Sequence, residues 1–288
     1  MTATIDRLAD PLAPERLDPL IGAALAEDVG DSDLTTEGIV PPEMTCRGKI
    51  VCKQDGVIAG LPVTRRVFQL VDERLQFDAK TQDGQKVQED QIVARLFGPA
   101  RSMLRAERVA LNFLQHLSGI ATLTSKYVKA VEGTKTQILD TRKTTPGLRA
   151  LEKYATRTGG AVNHRMGLYD QILVKDSHLA LANGVSPALR AVRKAHPEAM
   201  VNVEVSNLQE LEQALNDKAP RILLDNFAPG QVREAMQIIR GRAKVEISGG
   251  VLLTNARAYA LAGADFISVG ALTHSATALD YSMKVTRY

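Results

Sequence analysis

Short apolar runs alternate with helix-like segments through the second half of the chain, and this alternation limits the possible folds more than any other feature. The apolar runs are Gln137–Leu139, Gln171–Val174, Met200–Val205, Arg221–Leu224, Lys244–Ile247 and Asp265–Val269. The helix-like segments between them are Leu148–Thr156, Leu179–Ala195, Leu208–Leu215, Gly230–Ile239 and Asn255–Leu261. The pattern predicts an α/β domain with a parallel sheet covered on both faces. A closed barrel and an open doubly wound sheet both satisfy it.

Cations follow the first two apolar runs. The stretch 138–178 has the length of a strand–helix–strand unit with parallel strands. Working residues in parallel α/β folds lie at the carboxyl ends of strands, so cations gathered there predict a ligand with several negative charges. The alternative is that they are surface side chains on solvated loops. The cationic residues that flank the two strands of this stretch are Arg142, Lys143, His164, Arg165 and Lys175.

Carboxylates mark the ends of the third and fourth runs. Glu204 lies in Val203-Glu204-Val205, and Asp225 follows Leu224. A carboxylate at the end of an apolar strand needs a cation, a metal or a hydroxyl donor, because burial without one is costly. Two interpretations stay open and do not exclude each other. The carboxylates balance the nearby cations, or they bind sugar hydroxyls or a Mg²⁺ that a phosphate ligand carries.

Glycine-containing turns follow the last two runs. Ser248-Gly249-Gly250 comes after the fifth run, and Gly270 comes after the sixth. Such turns expose backbone N–H groups at the place where barrels commonly bind phosphate. Glycine also serves simply to reverse the chain. The pair of turns beside a cationic rim favours a phosphate site, and the strand ends together favour a barrel, since all of them would then project into one mouth.

The first half of the chain has a different pattern. Short strand-like segments gather between Cys46 and Leu96, with one helix-like segment at Pro62–Val71, which predicts a small α+β domain. After Gly98-Pro99, the stretch Ala100–Val131 predicts a long helix that connects this domain to the second one.

Composition excludes several functional classes. The net charge is only +3, aromatic residues make up 4% and Trp is absent, so a nucleic-acid surface is not expected. The chain has neither a signal peptide nor a run near the ~18 apolar residues of a membrane span, so we expect a cytoplasmic protein without membrane contact. Cys46 and Cys52 lack a zinc spacing and are expected to be reduced core thiols.

Motifs along nearly the whole chain resemble those of the quinolinate phosphoribosyltransferases, also called nicotinate-nucleotide pyrophosphorylases. The matching motifs are Glu27-Asp28, Asp33-Leu34-Thr35-Thr36, Glu107-Arg108, Leu117-Ser118-Gly119-Ile120-Ala121-Thr122, Asp140-Thr141-Arg142-Lys143-Thr144-Thr145-Pro146-Gly147, Asn163-His164-Arg165, Lys175-Asp176, Glu204-Val205, Leu224-Asp225-Asn226, Ser248-Gly249-Gly250 and Ser268-Val269-Gly270-Ala271. Their length and order make a chance match negligible.

The resemblance implies an incomplete α/β barrel of about six parallel strands with an N-terminal α/β sandwich domain. It places the sandwich domain at residues 1–116 and the barrel at 117–275, with residues 276–288 returning to the sandwich. It also implies a homodimer whose partner subunit contributes Arg108 to a shared active site.

By the same resemblance the enzyme transfers the phosphoribosyl group of phosphoribosyl pyrophosphate to quinolinate with decarboxylation, in NAD biosynthesis, with Mg²⁺. Lys143, Lys175, Glu204 and Asp225 are the implied catalytic residues, and Glu204 and Asp225 would contact the metal directly or through substrate. The implied substrate-binding residues are Arg108, Thr141, Arg142, Lys143, His164, Arg165, Lys175, Glu204, Asp225, Ser248, Gly249, Gly250, Ser268, Val269, Gly270 and Ala271.

Three questions remain open at this point. His164 could carry a proton or, as we expect, orient a neighbour by hydrogen bonding. The enzyme could act on another ring acid such as nicotinate, although a single carboxylate needs fewer cations than this chain gathers. A non-catalytic protein that binds phosphorylated sugars could use the same scaffold, although the joint presence of Lys143, Lys175, Glu204 and Asp225 argues against it.

Overall fold

The computed structural model describes residues 10–288, which form two compact units. The first unit contains the described residues up to Ser125, together with Thr145–Gly160 and Ser275–Tyr288. The second contains Lys126–Thr144 and Ala161–His274. Within residues 10–288 no helix combines the length and the apolar character that a bilayer crossing requires.

The helices and strands of the described residues are numbered in chain order. The helices are α1 Pro14–Val29, α2 Leu34–Ile39, α3 Leu61–Val71, α4 Ala100–Ala130, α5 Arg149–Thr158, α6 Asp176–Leu181, α7 Val185–Ala195, α8 Leu208–Asn216, α9 Pro229–Ile239, α10 Ala256–Leu261 and α11 Ala271–His274. The strands are β1 Thr45–Cys52, β2 Gly56–Val57, β3 Gln76–Ala79, β4 Lys86–Val87, β5 Ile92–Pro99, β6 Gln137–Leu139, β7 Ile172–Val174, β8 Val201–Val205, β9 Arg221–Asp225, β10 Lys244–Ser248, β11 Phe266–Ser268 and β12 Tyr281–Arg287.

The first unit is built on an antiparallel sheet in the order β12-β1-β5-β3. Along β1, Cys46 and Ile50 are buried whereas Arg47 and Lys49 are exposed, the alternation expected of a sheet with one solvated face. The buried face belongs to one apolar cluster with side chains of α1, α3 and α4 such as Phe68. Burying each large apolar side chain in such a cluster contributes about 1.5–3 kcal/mol.

The C-terminal strand β12 completes this sheet. It pairs with β1 from Cys46↔Arg287 to Cys52↔Tyr281. The segment before β12 passes so close to α4 that a Cβ atom on Gly119 would overlap the backbone oxygen of Thr277. Only glycine leaves room for this approach, because the obstructing atom belongs to the backbone and cannot turn away.

Helix α5 also belongs to the first unit. Leu151 and Ala155 lie in its apolar cluster, and the Tyr154 hydroxyl donates a hydrogen bond of 2.6 Å to Asp83. Our expectation that this helix is the crossover of a strand–helix–strand unit is therefore wrong. Periodicity identified the helix correctly, but its apolar side packs within the first unit.

The second unit contains one parallel sheet in the order β6-β11-β10-β9-β8-β7. From β7 to β11 each strand pairs with the next along the chain, and β11 then pairs with β6. This is the succession of a barrel that stays open between its first two strands. The incomplete α/β barrel is thus confirmed, and the open doubly wound alternative is wrong, since strand order in a doubly wound sheet reverses along the chain.

The compact units differ from the predicted ranges in two places. The division within α4 falls after Ser125 and not after residue 116, and Thr145–Gly160 lies with the first unit although it comes from the middle of the predicted barrel. A long continuous helix offers no sequence signal for a boundary. One predicted helix, 179–195, is divided into α6 and α7 at Asn183 and Gly184, both of which have positive φ.

Candidate active site

The carboxyl ends of the barrel strands surround a cavity of about 120 Å³, which we call the strand-end pocket. Its lining residues are Thr141, Arg142, Lys143, His164, Arg165, Leu173, Lys175, Glu204, Leu223, Glu246, Ser248 and Ser268. Sequence reasoning predicted all of these as site residues except Leu173, Leu223 and Glu246. The strand ends therefore converge as the parallel arrangement requires.

Lys143 follows β6 and is fixed by contacts at several of its atoms. Its N–H donates to the Thr141 hydroxyl at 3.0 Å, and its carbonyl accepts from the Thr273 hydroxyl at 2.7 Å. A Cβ atom on Gly270 would lie 2.9 Å from Lys143 Cδ, so glycine at 270 makes room for the lysine stem. Thr273 was not predicted, because a lone threonine on a short helix has no distinctive sequence signal.

Asp140, at the end of β6, holds the loop that carries the next two cationic residues. It is fully buried, and its two oxygens accept from the His164 backbone N–H at 2.8 Å and from Asn163 Nδ2 at 2.5 Å. A buried carboxylate with fixed donors gives the loop one stable position. Asp140 is therefore a structural anchor of the site that sequence reasoning placed in a motif but gave no role.

The two arginines of the pocket make it strongly electropositive. Arg165 is only 8% exposed, and burial together with the charge of Arg142 lowers the pKa of its guanidinium. Its NH1 group donates to the Gln171 carbonyl at 3.2 Å, which fixes the direction of the side chain. Two cations held this close favour an anion between or beside them, because an anion offsets both the repulsion and the loss of water.

Carboxylates lie at the rim where β8 and β9 end. Burial raises the pKa of Glu204, and the negative charges of Asp225 and Asp176 raise it further against the opposing effect of Lys175. Burial also raises the pKa of Asp225; the Asn226 hydrogen bond, Lys175 and Lys143 lower it, whereas Asp176 raises it. The rim thus combines lysines with carboxylates that repel one another, and it suits a ligand that offers both anionic and hydroxyl groups.

The glycine turns only partly match the predicted phosphate cradle. Gly249 and Gly250 have φ values of +87° and +63°, a conformation that turns the chain sharply after β10. The Val269 N–H, however, donates to the Leu139 carbonyl at 3.0 Å and is therefore not available to a phosphate. Backbone pairing between β11 and β6 accounts for this difference, and Ser268, Gly270 and Ala271 remain the candidates at this turn.

Several predicted residues lie outside the lining of the strand-end pocket. Arg108 lies in the first unit, where it is exposed on α4. The others lie at or just after the ends of β9, β10 and β11. The charges of Lys143 and Lys175 act on Asp225, which indicates that it shares the rim with them. These others are Asp225, Gly249, Gly250, Val269, Gly270 and Ala271.

Family models match both parts of the chain. The model of the N-terminal domain of quinolinate phosphoribosyl transferase matches residues 33–118, and the model of the C-terminal domain matches residues 120–284. The chain belongs to the quinolinate phosphoribosyltransferase family. The resemblance inferred from the motifs is thereby confirmed.

Individual relatives cover nearly the full length of this family member. Nicotinate-nucleotide pyrophosphorylase [carboxylating] of Mycobacterium leprae is 46% identical over 272 residues, which are 91% of this chain and 95% of that protein. Quinolinate phosphoribosyltransferase [decarboxylating] 1b of Nicotiana tabacum is 38% identical over 92% of this chain and 81% of its own length. The crystal structure of NadC from Streptococcus pyogenes superposes with a TM-score of 0.93 at 41% identity, covering 96% of this chain and 98% of that one.

Proposed function

We propose that the protein transfers the phosphoribosyl group of phosphoribosyl pyrophosphate to quinolinate and releases carbon dioxide. The products are nicotinate mononucleotide and pyrophosphate, in the de novo synthesis of NAD. The observation that carries the proposal is the joint lining of one pocket by four cationic residues and a carboxylate, namely Arg142, Lys143, Arg165, Lys175 and Glu204. The names of the relatives support the same reaction.

Quinolinate would occupy the part of the pocket beside the two arginines. It carries two adjacent carboxylates, and a guanidinium can bind each of them through paired hydrogen bonds. Burial and the charge of Arg142 lower the pKa of Arg165, so a dianion there relieves a repulsion that is built into the site. A ligand with one carboxylate would relieve less of it.

Phosphoribosyl pyrophosphate would lie toward the lysines and carboxylates. Lys143 and Lys175 would face its phosphates, and Glu204 and Asp225 would accept hydrogen bonds from the ribose hydroxyls. The turns at 248–250 and 268–271, with the exception of the Val269 N–H, would bind the 5′-phosphate through backbone donors. The raised pKa values of both carboxyl groups fit a site completed by ligand donors and cations.

The carboxylate side of the rim also fits Mg²⁺ carried by the pyrophosphate group. Asp176, Glu204 and Asp225 repel one another electrostatically, which an added cation would relieve. The described residues contain no cluster of three or more metal-ligating side chains. Mg²⁺ commonly keeps several waters and takes one or two carboxylates plus substrate phosphates, so a substrate-borne ion suits this rim. When bound, it would offset charge on the leaving pyrophosphate.

The chain's own contribution to the chemistry would be positioning and electrostatic stabilisation. The quinolinate ring nitrogen attacks the anomeric carbon as pyrophosphate departs, through a transition state with oxocarbenium character. Glu204 and Asp225 would stabilise the positive charge that develops on the ribose, and Lys143 and Lys175 would stabilise the negative charge that develops on the leaving group. Once the ring nitrogen is quaternary, the bond to the adjacent carboxylate breaks, its electron pair stays on the ring carbon beside the positive nitrogen, and that carbon takes up a proton from water as carbon dioxide leaves.

We also propose a homodimer in which Arg108 completes the site of the partner subunit. In support, Arg108 is exposed on α4, where it is accessible to a second copy. A cytoplasmic location is a further part of the proposal. Cys46 and Cys52 are buried free thiols whose pKa values burial raises, which suits unreactive core cysteines in a reducing compartment.

The decisive experiment is an assay that measures nicotinate mononucleotide and labelled carbon dioxide from carboxyl-labelled quinolinate. We expect both products in equal amounts with phosphoribosyl pyrophosphate and Mg²⁺, and a large loss of rate after chelation of the metal. Turnover of nicotinate without carbon dioxide release would instead identify an enzyme for a different ring acid. Tight binding of both substrates without turnover would identify a binding protein.

A further inference from the structure

Glu246 lies in β10 and is fully buried at the wall of the strand-end pocket. Asn202 Nδ2 donates to its Oε2 at 2.7 Å, and an Arg221 guanidinium nitrogen lies 2.8 Å from the same oxygen. The Ser268 hydroxyl donates to Oε1, and His164 Nε2 lies 3.3 Å from Oε1. Burial alone would raise the pKa of Glu246, but the hydrogen bonds from His164 and Ser268 and the charge of Arg221 hold it below its ordinary value.

The contacts of His164 define which ring nitrogen carries the proton. The Arg165 backbone N–H points at His164 Nδ1 across 2.7 Å, and since this N–H can only donate, Nδ1 must accept. Glu246 is a carboxylate that can only accept, so Nε2 must carry the hydrogen. A proton on Nδ1 would place two donors 2.7 Å apart, so this contact disfavours the other tautomer and adds to the preference that Glu246 sets.

Neither ring nitrogen is therefore available to exchange a proton with a substrate. The His164 side chain is 6% exposed, and its backbone N–H is held by Asp140. Arg221 supplies the positive charge that Glu246 needs, and its guanidinium stacks on the Phe266 ring at 4.2 Å. Because the charges of Glu246 and Arg221 offset each other, a neutral imidazole adds no net charge to this buried cluster. A charged imidazole would add a positive charge without a matching negative one.

We propose that Glu246 is a positioning residue that holds His164 as the neutral Nε2–H tautomer. His164 in turn fixes the backbone of Arg165, and through it the guanidinium that faces the substrate. His164 thus orients the anion site and is not a proton carrier. The tautomer follows from the geometry alone, whereas its effect on turnover rests on the function proposed above.

The first test uses the full-length protein labelled with ¹⁵N-histidine and no substrate. Long-range ¹H–¹⁵N correlation spectra distinguish a protonated from an unprotonated ring nitrogen. Because the chain has five histidines, the His164 signals are assigned as those missing from His164→Asn. We expect Nε2 to be protonated and Nδ1 unprotonated at neutral pH. The opposite tautomer, or a ring protonated on both nitrogens, would overturn the proposal.

Two variants that remove different contacts of Glu246 sharpen this test. Glu246→Gln weakens the acceptor opposite His164, and we expect its His164 signals to show a mixture of tautomers. Asn202→Ala removes a donor to the other carboxylate oxygen, and we expect the tautomer to be retained in the folded protein. A retained single tautomer in Glu246→Gln, or an equal disturbance in both variants, would contradict a specific role of Glu246.

The second test measures steady-state kinetics with quinolinate. His164→Gln can still donate an amide hydrogen toward Glu246, and His164→Asn can still accept from the Arg165 N–H. We expect both variants to raise KM for quinolinate about tenfold and to keep kcat and the shape of its pH profile. This is the result expected when a binding group loses its orientation and no reacting group is removed. Loss of one limb of that profile in both variants would show proton transfer by His164 and overturn the proposal. Absence of turnover in the wild type would disprove the proposed function and leave the spectroscopic result standing.

Discussion

Replacing Gly270 with alanine should displace Lys143 without unfolding the protein. The new Cβ atom would lie 2.9 Å from Lys143 Cδ and 3.2 Å from His274 Nε2. Ordinary contact between carbon atoms begins near 3.5 Å, so a shift of roughly half an ångström is needed. Gly270 has no positive φ that alanine would strain, and the Lys143 carbonyl stays bound to Thr273. The lysine stem must therefore move.

Displacing the Lys143 stem should lower the free energy of unfolding only slightly but should lower the rate of turnover strongly. An off-rotamer torsion costs about 0.5–1.5 kcal/mol, which is the loss of unfolding free energy that we expect. A displacement near 1 Å in a positioned group can lower the rate about 10²-fold, so we expect kcat/KM to fall by about 10- to 100-fold. Denaturant unfolding and the quinolinate assay measure the two quantities.

A double-mutant cycle shows whether the effect passes through Lys143. In a Lys143→Ala background the stem is absent, so adding Gly270→Ala should change the residual rate less than twofold. Gly230→Ala is the matched control, because the nearest atom to its new Cβ is Arg233 NH2 at 3.9 Å, and we expect unchanged activity. An equal loss of rate from Gly270→Ala with and without Lys143, or full activity in the single variant, would refute the reasoning.

Three further predictions concern the other contacts of the molecule. Lys143→Ala and Arg108→Ala should each abolish most activity with unchanged unfolding curves, and mixing the two inactive proteins under subunit exchange should restore part of it; no recovery in verified hybrids would contradict a shared site. Glu204→Gln should stabilise the fold at neutral pH, because the raised pKa of Glu204 means that its ionised form is disfavoured in the folded state. That gain should shrink as the pH falls and the native carboxyl group takes up a proton; a constant gain in denaturant titrations across pH would show another cause. Tyr154→Phe should lower the free energy of unfolding by about 0.5–3 kcal/mol, because it removes a 2.6 Å hydrogen bond to the Asp83 carboxylate. In an Asp83→Ala background we expect no such loss, and an equal loss there would disprove the contact.

The strand ends of the barrel could be predicted because one physical rule governs all of them. Parallel strands place their carboxyl ends at one edge, so a charged residue that closes an apolar run must face that edge. Lys143, Lys175 and Glu204 obey the rule and line the strand-end pocket together. The rule does not predict which residues a given side chain contacts, or which strands lie next to each other in the sheet.

Glu246 shows what a closer reading could have found. It interrupts the apolar residues Val245 and Ile247 and is itself fully buried. A carboxylate in the interior of a buried strand needs hydrogen-bond donors at fixed positions. The position of Glu246 in the sequence therefore indicates a buried polar cluster. The donors could not have been named, because Asn202, Arg221 and Ser268 come from three different strands.

Helix α5 shows where periodicity stops being informative. The apolar side of the helix was visible in the sequence, but an apolar stripe does not state which surface covers it. Leu151 and Ala155 pack in the cluster of the first unit. Similarly, the approach of Thr277 to Gly119 depends on two segments that are distant in sequence. Contacts of this kind follow only from the assembled fold.

The pairing of β12 with β1 has a consequence for the newly synthesised chain. The whole of the barrel is translated between these two strands. The backbone groups on one edge of β1 therefore lack hydrogen-bond partners until β12 has been synthesised. An exposed strand edge during that interval invites pairing with other nascent chains. Deleting β12 would make this temporary state permanent, and such a variant should accumulate in inclusion bodies even with an intact barrel.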